Sequence, residues 1–230
     1  TGNVTFTGAI GATEQLGGLS ANASAGDGDI TFSSTIGSTD AGVIGTTAIG
    51  NSTTADLNFA STLYSFDGTA TITAAAGDNI DVTAAATFAT AADNITFATG
   101  NIALADGANL TIDTGAGAGN ITIGAEIAGT SVETVTIDAG TGTVSVGVIG
   151  TSTEIGALTI GSAENGGITL NGAILTDGAI IIDGPVTLAT GAITVTTTDD
   201  ALTFNHSIDG DQTLALVSGT AATKVQGTIG

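Results

Sequence analysis

Residues Asn120–Gly161 read NITIGAEIAGTSVETVTIDAGTGTVSVGVIGTSTEIGALTIG. Four apolar-polar-apolar triplets stand in this stretch: Ile121-Thr122-Ile123, Val135-Thr136-Ile137, Val144-Ser145-Val146 and Leu158-Thr159-Ile160. Residues i and i+2 of a strand share one face. Each triplet therefore turns two aliphatic side chains one way and a hydroxyl the other. The stiff β-branched residues suit such a pleated surface. Between the triplets lie mostly Gly, Ala, Thr, Ser, Asp and Glu. A three-residue strand buries nothing alone, so the pattern calls for copies stacked on one another.

The copies continue in both directions. Leu110, Val135, Leu158, Ile180 and Leu202 open triplets at steps of 25, 23, 22 and 22 residues. A second series opens at Ile95, Ile121, Val144, Ile168, Ile193 and Leu214, with steps of 26, 23, 24, 25 and 21. Nearer the start, Val4, Ile30, Leu57 and Ile80 follow at 26, 27 and 23. Longer echoes accompany them. VTFTGAIGATEQLGGLS (4–20) aligns with VSVGVIGTSTEIGALTI (144–160) when one residue is skipped, and LTFNHSIDGDQTLAL (202–216) is a looser copy. Periods of this size mark repeat architectures. Asn3, Asp29, Asp56, Asn79, Asn94, Asn109, Asn120 and Gly167 stand just before triplets. Such residues tolerate tight backbone angles, so each strand begins at a corner.

The reading is an all-β chain folded as a right-handed parallel β-helix, or β-solenoid. It has about 23 residues per coil and roughly ten coils, each rising ~4.8 Å. The hand follows the usual parallel crossover. Residues 1–230 form one continuous domain. The alternative is an antiparallel sandwich, which also has many short strands. Asp-Gly pairs at 27–28, 67–68, 106–107, 177–178, 183–184 and 209–210 suit its hairpins. Two regions stand apart. Residues 38–56 hold no clean triplet and read as an enlarged loop. Residues 83–93, TAAATFATAAD, are Ala-rich enough for a helix, but Thr83, Thr87 and Thr90 favour a coil with a small-residue interior.

Composition narrows function. Twenty-two acidic residues face a single base, Lys224, for a formal charge of −21. Nucleic acid is excluded, because phosphates need Lys or Arg partners, and so is docking on an anionic membrane. No run of 18 apolar residues exists, so no helix inserts into a membrane. With no Cys, disulfide and thiol chemistry are excluded. The lack of Met and Trp as well suits an oxidising place outside the cell. The chain opens at Thr1 without a basic, apolar leader and reads as a mature chain or a piece of a longer repeat protein.

Over 135–160 and 202–216, and again over 4–20, the chain resembles the repeat regions of filamentous-haemagglutinin-like adhesins and related autotransporter passengers of bacteria. The likeness implies an extracellular parallel β-helix at the cell surface, serving as stalk, adhesin or coat. Its near absence of Lys and Arg departs from that family, and the family's secretion region is not recognisable.

Few residues suggest chemistry. Asp199-Asp200 and Asp209-X-Asp211 offer paired carboxylates of the kind a glycan hydrolase needs, but acids are also common in turns for backbone reasons. Tyr64 and seven Phe are a thin supply of sugar-stacking rings. His206 has no second His or Cys with which to build an ordinary metal site. Calcium takes carboxylate and carbonyl oxygens from flexible loops. The alternate acids of GDGDI (26–30) and IDGDQ (208–212) make Asp27, Asp29, Asp209 and Asp211 weak calcium candidates, with bare acidic turns as the other reading. No other cofactor is expected. Glycosylation sequons at Asn3, Asn22, Asn51, Asn94, Asn109, Asn120 and Asn205 follow from Asn preceding a triplet. Ice binding would need Thr-x-Thr columns, approached only at 69–73 and 193–198.

The expected role is therefore structural rather than enzymatic. It is an extracellular rod at the bacterial surface that spaces, coats or adheres to a host or surface glycan or protein. The alternative is a filament subunit joined end to end through open solenoid ends.

Overall fold

A computed structural model of the chain describes residues 2–23, 28–38, 42–161 and 166–230. Among them are 26 short strands and no helix. Every strand pairing is parallel, in sheets of six, nine, eight and three strands. The sandwich alternative is thereby overturned. Isolated bridges from Ile127 to Ile149 and from Ile149 to Ile174 join the six- and three-stranded sheets into one column. The molecule is a solenoid with three faces and about nine turns of ~23 residues.

The chain visits the faces in a fixed order. In the first coil it passes Val4–Phe6 on the first face, Ile10 on the second and Leu19–Ala21 on the third. In a middle coil the same stations are Asn101–Leu104, Leu110–Asp113 and Ile121–Ile123. In the last coil they are Leu214–Val217, Thr223–Val225 and Ile229. Register sets like on like. Leu110, Thr111, Ile112 and Asp113 lie over Val135, Thr136, Ile137 and Asp138.

The echoes now have a geometric meaning. Residues 4–20 run from the first face to the third, 144–160 from the third to the second, and 202–216 from the second to the first. One sequence unit serves on any face. Each copy turns its first corner just before an isoleucine, Ile10, Ile149 or Ile208, which opens the next face. In two of them the next residue is a left-handed glycine, Gly11 at φ 65° and Gly150 at φ 72°. At Gly150 a Cβ would also sit 2.0 Å from the Leu175 carbonyl oxygen. A side chain is shut out there on both counts.

Two expectations need correction. The series through Ile95, Ile121, Val144 and Ile168 follows the third face, but its continuation does not. That face goes on to Val186 and Ile208, whereas Ile193 and Leu214 lie on the first. The cause is compact corners between Ile168 and Val186, which leave a step of only 18 residues. Residues 38–56 are not simply an enlarged loop. Thr47–Gly50 is a strand with Thr47 and Ile49 inward. Its inward pair begins with Thr, which hides it from a search for aliphatic pairs, and the Thr47 hydroxyl has no partner. Residues 39–41 lie outside the described residues. The Ala-rich 83–93 does hold a strand, Ala86–Thr90, with Ala86, Phe88 and Thr90 inward.

Stacked aliphatic side chains fill the interior, each fully buried one contributing about 1.5–3 kcal/mol. The aromatic rings concentrate towards the N-terminal half. Phe6 stacks on Phe32 at 4.9 Å and Phe32 on Phe59 at 5.4 Å. Phe59 then meets Tyr64 and Phe88 edge-on.

Candidate functional site

Corners are where the polar side chains gather, and the ladder explains them. The amide at a strand's first residue, or just before it, needs an acceptor from the neighbouring coil. The residue just before the strand supplies it. Asn3 Oδ1 accepts from the Asp29 amide, Asp56 Oδ1 from Asn79, Asn94 Oδ1 from Asn120, and Asn120 Oδ1 from Thr143. Asn109 does the same for Thr134. Asn and Asp thus relay the hydrogen-bond ladder around the bend from coil to coil. Four of the sequon asparagines, Asn3, Asn94, Asn109 and Asn120, are members of these relays.

Inward threonines close the turns. Thr90, Thr114, Thr176 and Thr197 donate their hydroxyls to the carbonyls of Asp93, Gly119, Gly178 and Asp200 at 2.5–2.9 Å. A buried hydroxyl left unbonded would cost free energy.

Carboxylates act in the same way. Glu126 accepts from the Ser152 amide and hydroxyl, both at 2.6 Å, and from the Thr151 hydroxyl at 3.0 Å. Its partial burial pushes its carboxyl up, but those donors prevail and hold it below the usual Glu value. Glu133 has no solvent exposure. It accepts from the Thr130 amide and hydroxyl at 2.6 and 2.5 Å and from the Gly107 amide at 3.1 Å. Burial raises its carboxyl and the hydrogen bonds outweigh that, leaving it low as well. Neither glutamate stood out in the sequence. The only signal was two acids within AEIAGTSVET (125–134).

Of the calcium candidates, the described ones, Asp29, Asp209 and Asp211, are not gathered into a site. Asp27 lies outside the described residues. Asp29 binds back to Asn3, whose amide donates to Asp29 Oδ2 at 3.0 Å. Asp209 ends a third-face strand and Asp211 follows it, both exposed. Among the described residues, no group of three or more His, Asp or Glu is placed to hold a cation. Asp29 does act at a distance on Asp81. That carboxyl is raised, first by burial and then by the negative charges of Asp56 and Asp29.

The other chemical candidates make contacts within the solenoid. Asp199 sits in left-handed backbone at φ 60°, and its Oδ1 accepts from the Thr220 amide at 2.8 Å and hydroxyl at 3.1 Å. It ties one coil to the next. His206 Nε2 lies 3.4 Å from Asp183 Oδ1 on the second face. Tyr64 is fully buried, its hydroxyl accepting from the Ser61 amide at 2.8 Å, and burial pushes its phenol to about 12. Six of the seven Phe are buried too, and Phe6 packs against the core. The rings weighed as a sugar platform point inward.

Outward, hydroxyls form columns. Thr71, Thr96, Thr122, Ser145, Thr169 and Thr187 stand in register on the third face. The next outward column there, Thr73, Ala98, Gly124, Gly147 and Asn171, is mostly small. The face offers one hydroxyl column, not the paired columns an ice lattice would need. Compared with family models, curated proteins and solved structures, the chain matches none.

Proposed function

We propose that this chain is a structural segment of the bacterial cell surface, an extracellular rod that acts as stalk, adhesin or coat. The observation that carries the reading is the unbroken stacking of like residues on three faces over about nine turns. At ~4.8 Å per coil the ladder spans on the order of 45 Å. Interior coils are hydrogen-bonded to both neighbours, so bending must open several bonds together. Polar work in this molecule maintains the rod: Asn and Asp relays, Thr turn closures and Glu caps.

Composition supports the location. The chain has no sulfur to oxidise, and trypsin is offered only Lys224, which lies in the last coil. The surface columns of Thr with flanking carboxylates suit a partner that binds through hydroxyls, such as a host or surface glycan or protein. An antibody against the chain should label intact bacteria that carry it. Labelling only after permeabilisation would overturn the location. Electron microscopy of the purified chain should show short straight rods, and compact globules would overturn the spacer role.

A further inference from the structure

The second face changes character along its length. Ile10, Ile36 and Tyr64 are bridged one to the next along it, and so are Leu16, Val43 and Phe66. Ser65 alone separates Tyr64 from Phe66, whereas residues 11–15 separate Ile10 from Leu16 and residues 37–42 separate Ile36 from Val43. The face thus carries extra residues in two successive coils and then runs straight through Leu63–Phe66 and Ala86–Thr90. At that step lies a recess of about 370 Å³. Its size falls at the lower end of the range for small-molecule sites, about 300–1,000 Å³.

The lining is drawn from four coils. Gln15 reaches past the second coil to the third, where its Nε2 donates to Asp67 Oδ2 at 3.2 Å. Gly42 is buried, and a Cβ there would stand 2.9 Å from the Ser65 carbonyl oxygen, so the second coil packs directly on the third. The outward residues of the straight strands depart here from the rest of the face. Leu63 stands in register with Thr87, Thr111 and Thr136, an aliphatic side chain in a column of threonines. The neighbouring column reads Ser65, Ala89, Asp113 and Asp138. It is small where it lines the recess and acidic beyond it.

Chemistry selects the ligand. Asp67 is the one charged side chain of the lining, in a chain of −21, so an anion is repelled. A metal cation would find a single carboxylate there, too few oxygens of charge to hold it. Gln15 and Asp67, joined to each other, set amide N–H and carboxylate oxygen side by side. Adjacent hydroxyls, each able to donate and accept, match such a pair. Leu63 and Ala89 are half-buried and offer aliphatic surface to the C–H side of a ring. The aromatic rings, turned inward, are not needed for that contact.

We propose that this recess binds one uncharged hexopyranose unit of a glycan. Gln15 and Asp67 hold two neighbouring hydroxyls of the sugar, and its ring lies against Leu63 and Ala89. The proposal rests on the adhesin reading above and gives it a ligand class and a place, on the second face at the step between the enlarged and the straight coils.

The test is saturation-transfer NMR and titration of the 230-residue chain with methyl glycosides of glucose, galactose, mannose and N-acetylglucosamine, and with glucuronate. At least one neutral sugar should bind, and glucuronate should bind more weakly than it does. Gln15→Ala and Asp67→Ala should each weaken that sugar about tenfold, the loss of a hydrogen-bonding partner. Both side chains are exposed, and circular dichroism should show the fold unchanged. Ala89→Asp extends the Asp113–Asp138 column into the recess and should abolish binding. Thr136→Ala, on the same face outside the recess, should leave it as it was. Absence of binding by all four neutral sugars overturns the proposal, as does binding that survives Ala89→Asp or a preference for glucuronate. Electron microscopy of the same samples judges the rod separately: straight rods that bind no sugar sink the subsite alone, and globules sink the rod reading whatever the sugars do.

Discussion

Single residues here illustrate two opposite responses to pH. Glu133 is a buried carboxylate held by amides and a hydroxyl rather than by a cation. Its folded value lies below the ordinary one. Such a group adds stability above the unfolded value of about 4.3 and loses it as pH falls through the folded value. Glu133→Ala leaves its donors unmet and should cost about 1–3 kcal/mol at neutral pH. Denaturant titration should show that deficit shrinking near pH 3, and an equal deficit at both pH values would refute the account. Asp81 is the converse. Burial, then Asp56 and Asp29, raise its carboxyl, so its charge costs stability at neutral pH and acid relieves that cost. Asp81→Asn should melt higher than the parent at pH 7 in low salt. The advantage should fade as the parent's carboxyl becomes protonated.

At the scale of the strand and its corner, inward and outward positions should differ sharply. Ile137 is fully buried while Thr136 beside it faces out. Ile137→Ala should cost about 2–5 kcal/mol through lost contacts and a cavity, and Thr136→Ala within about 0.5 kcal/mol of nothing. Comparable losses at the two sites, read from unfolding midpoints, would mean the faces are misassigned. Asn120→Ala tests the corner relay, since it removes the acceptor of the Thr143 amide and hydroxyl. A cost of about 1 kcal/mol is expected, and none at all would count against the relay. The strands were legible in the sequence because Ile-Thr-Ile declares its inward and outward sides. The corner residues were legible as turns but not as relays, because a relay joins residues some 25 apart in sequence. The three-face winding was only half legible. Corner lengths vary, so a fixed period slid from the third face to the first after Ile168. Thr47 escaped because it occupies an inward position with a polar side chain. Glu133 escaped because nothing local distinguishes a buried acid from the many exposed ones.

The whole molecule must hold a charge of −21 in one narrow rod. Among the described residues the one close contact of a basic side chain with a carboxylate is His206 Nε2 to Asp183 Oδ1, an ion pair only when the imidazole is protonated. Self-repulsion of that size destabilises a compact state, and mobile ions screen it over about 10 Å at 0.1 M salt. The melting temperature should therefore climb as sodium chloride is raised from low concentration. Divalent ions separate general screening from a built site. Asp29, Asp209 and Asp211 are not grouped with other acids around a common point. Calcium and magnesium should accordingly raise the melting temperature alike and gradually, and a chelator at fixed ionic strength should leave it unchanged. A saturating rise with calcium alone would show that a true coordination site exists. Substituting Asp29 and Asp209 by Asn, one at a time, would then locate it by abolishing the calcium-specific step. Without that step, the carboxylates act only as a diffuse negative coat, which keeps rods apart along their sides.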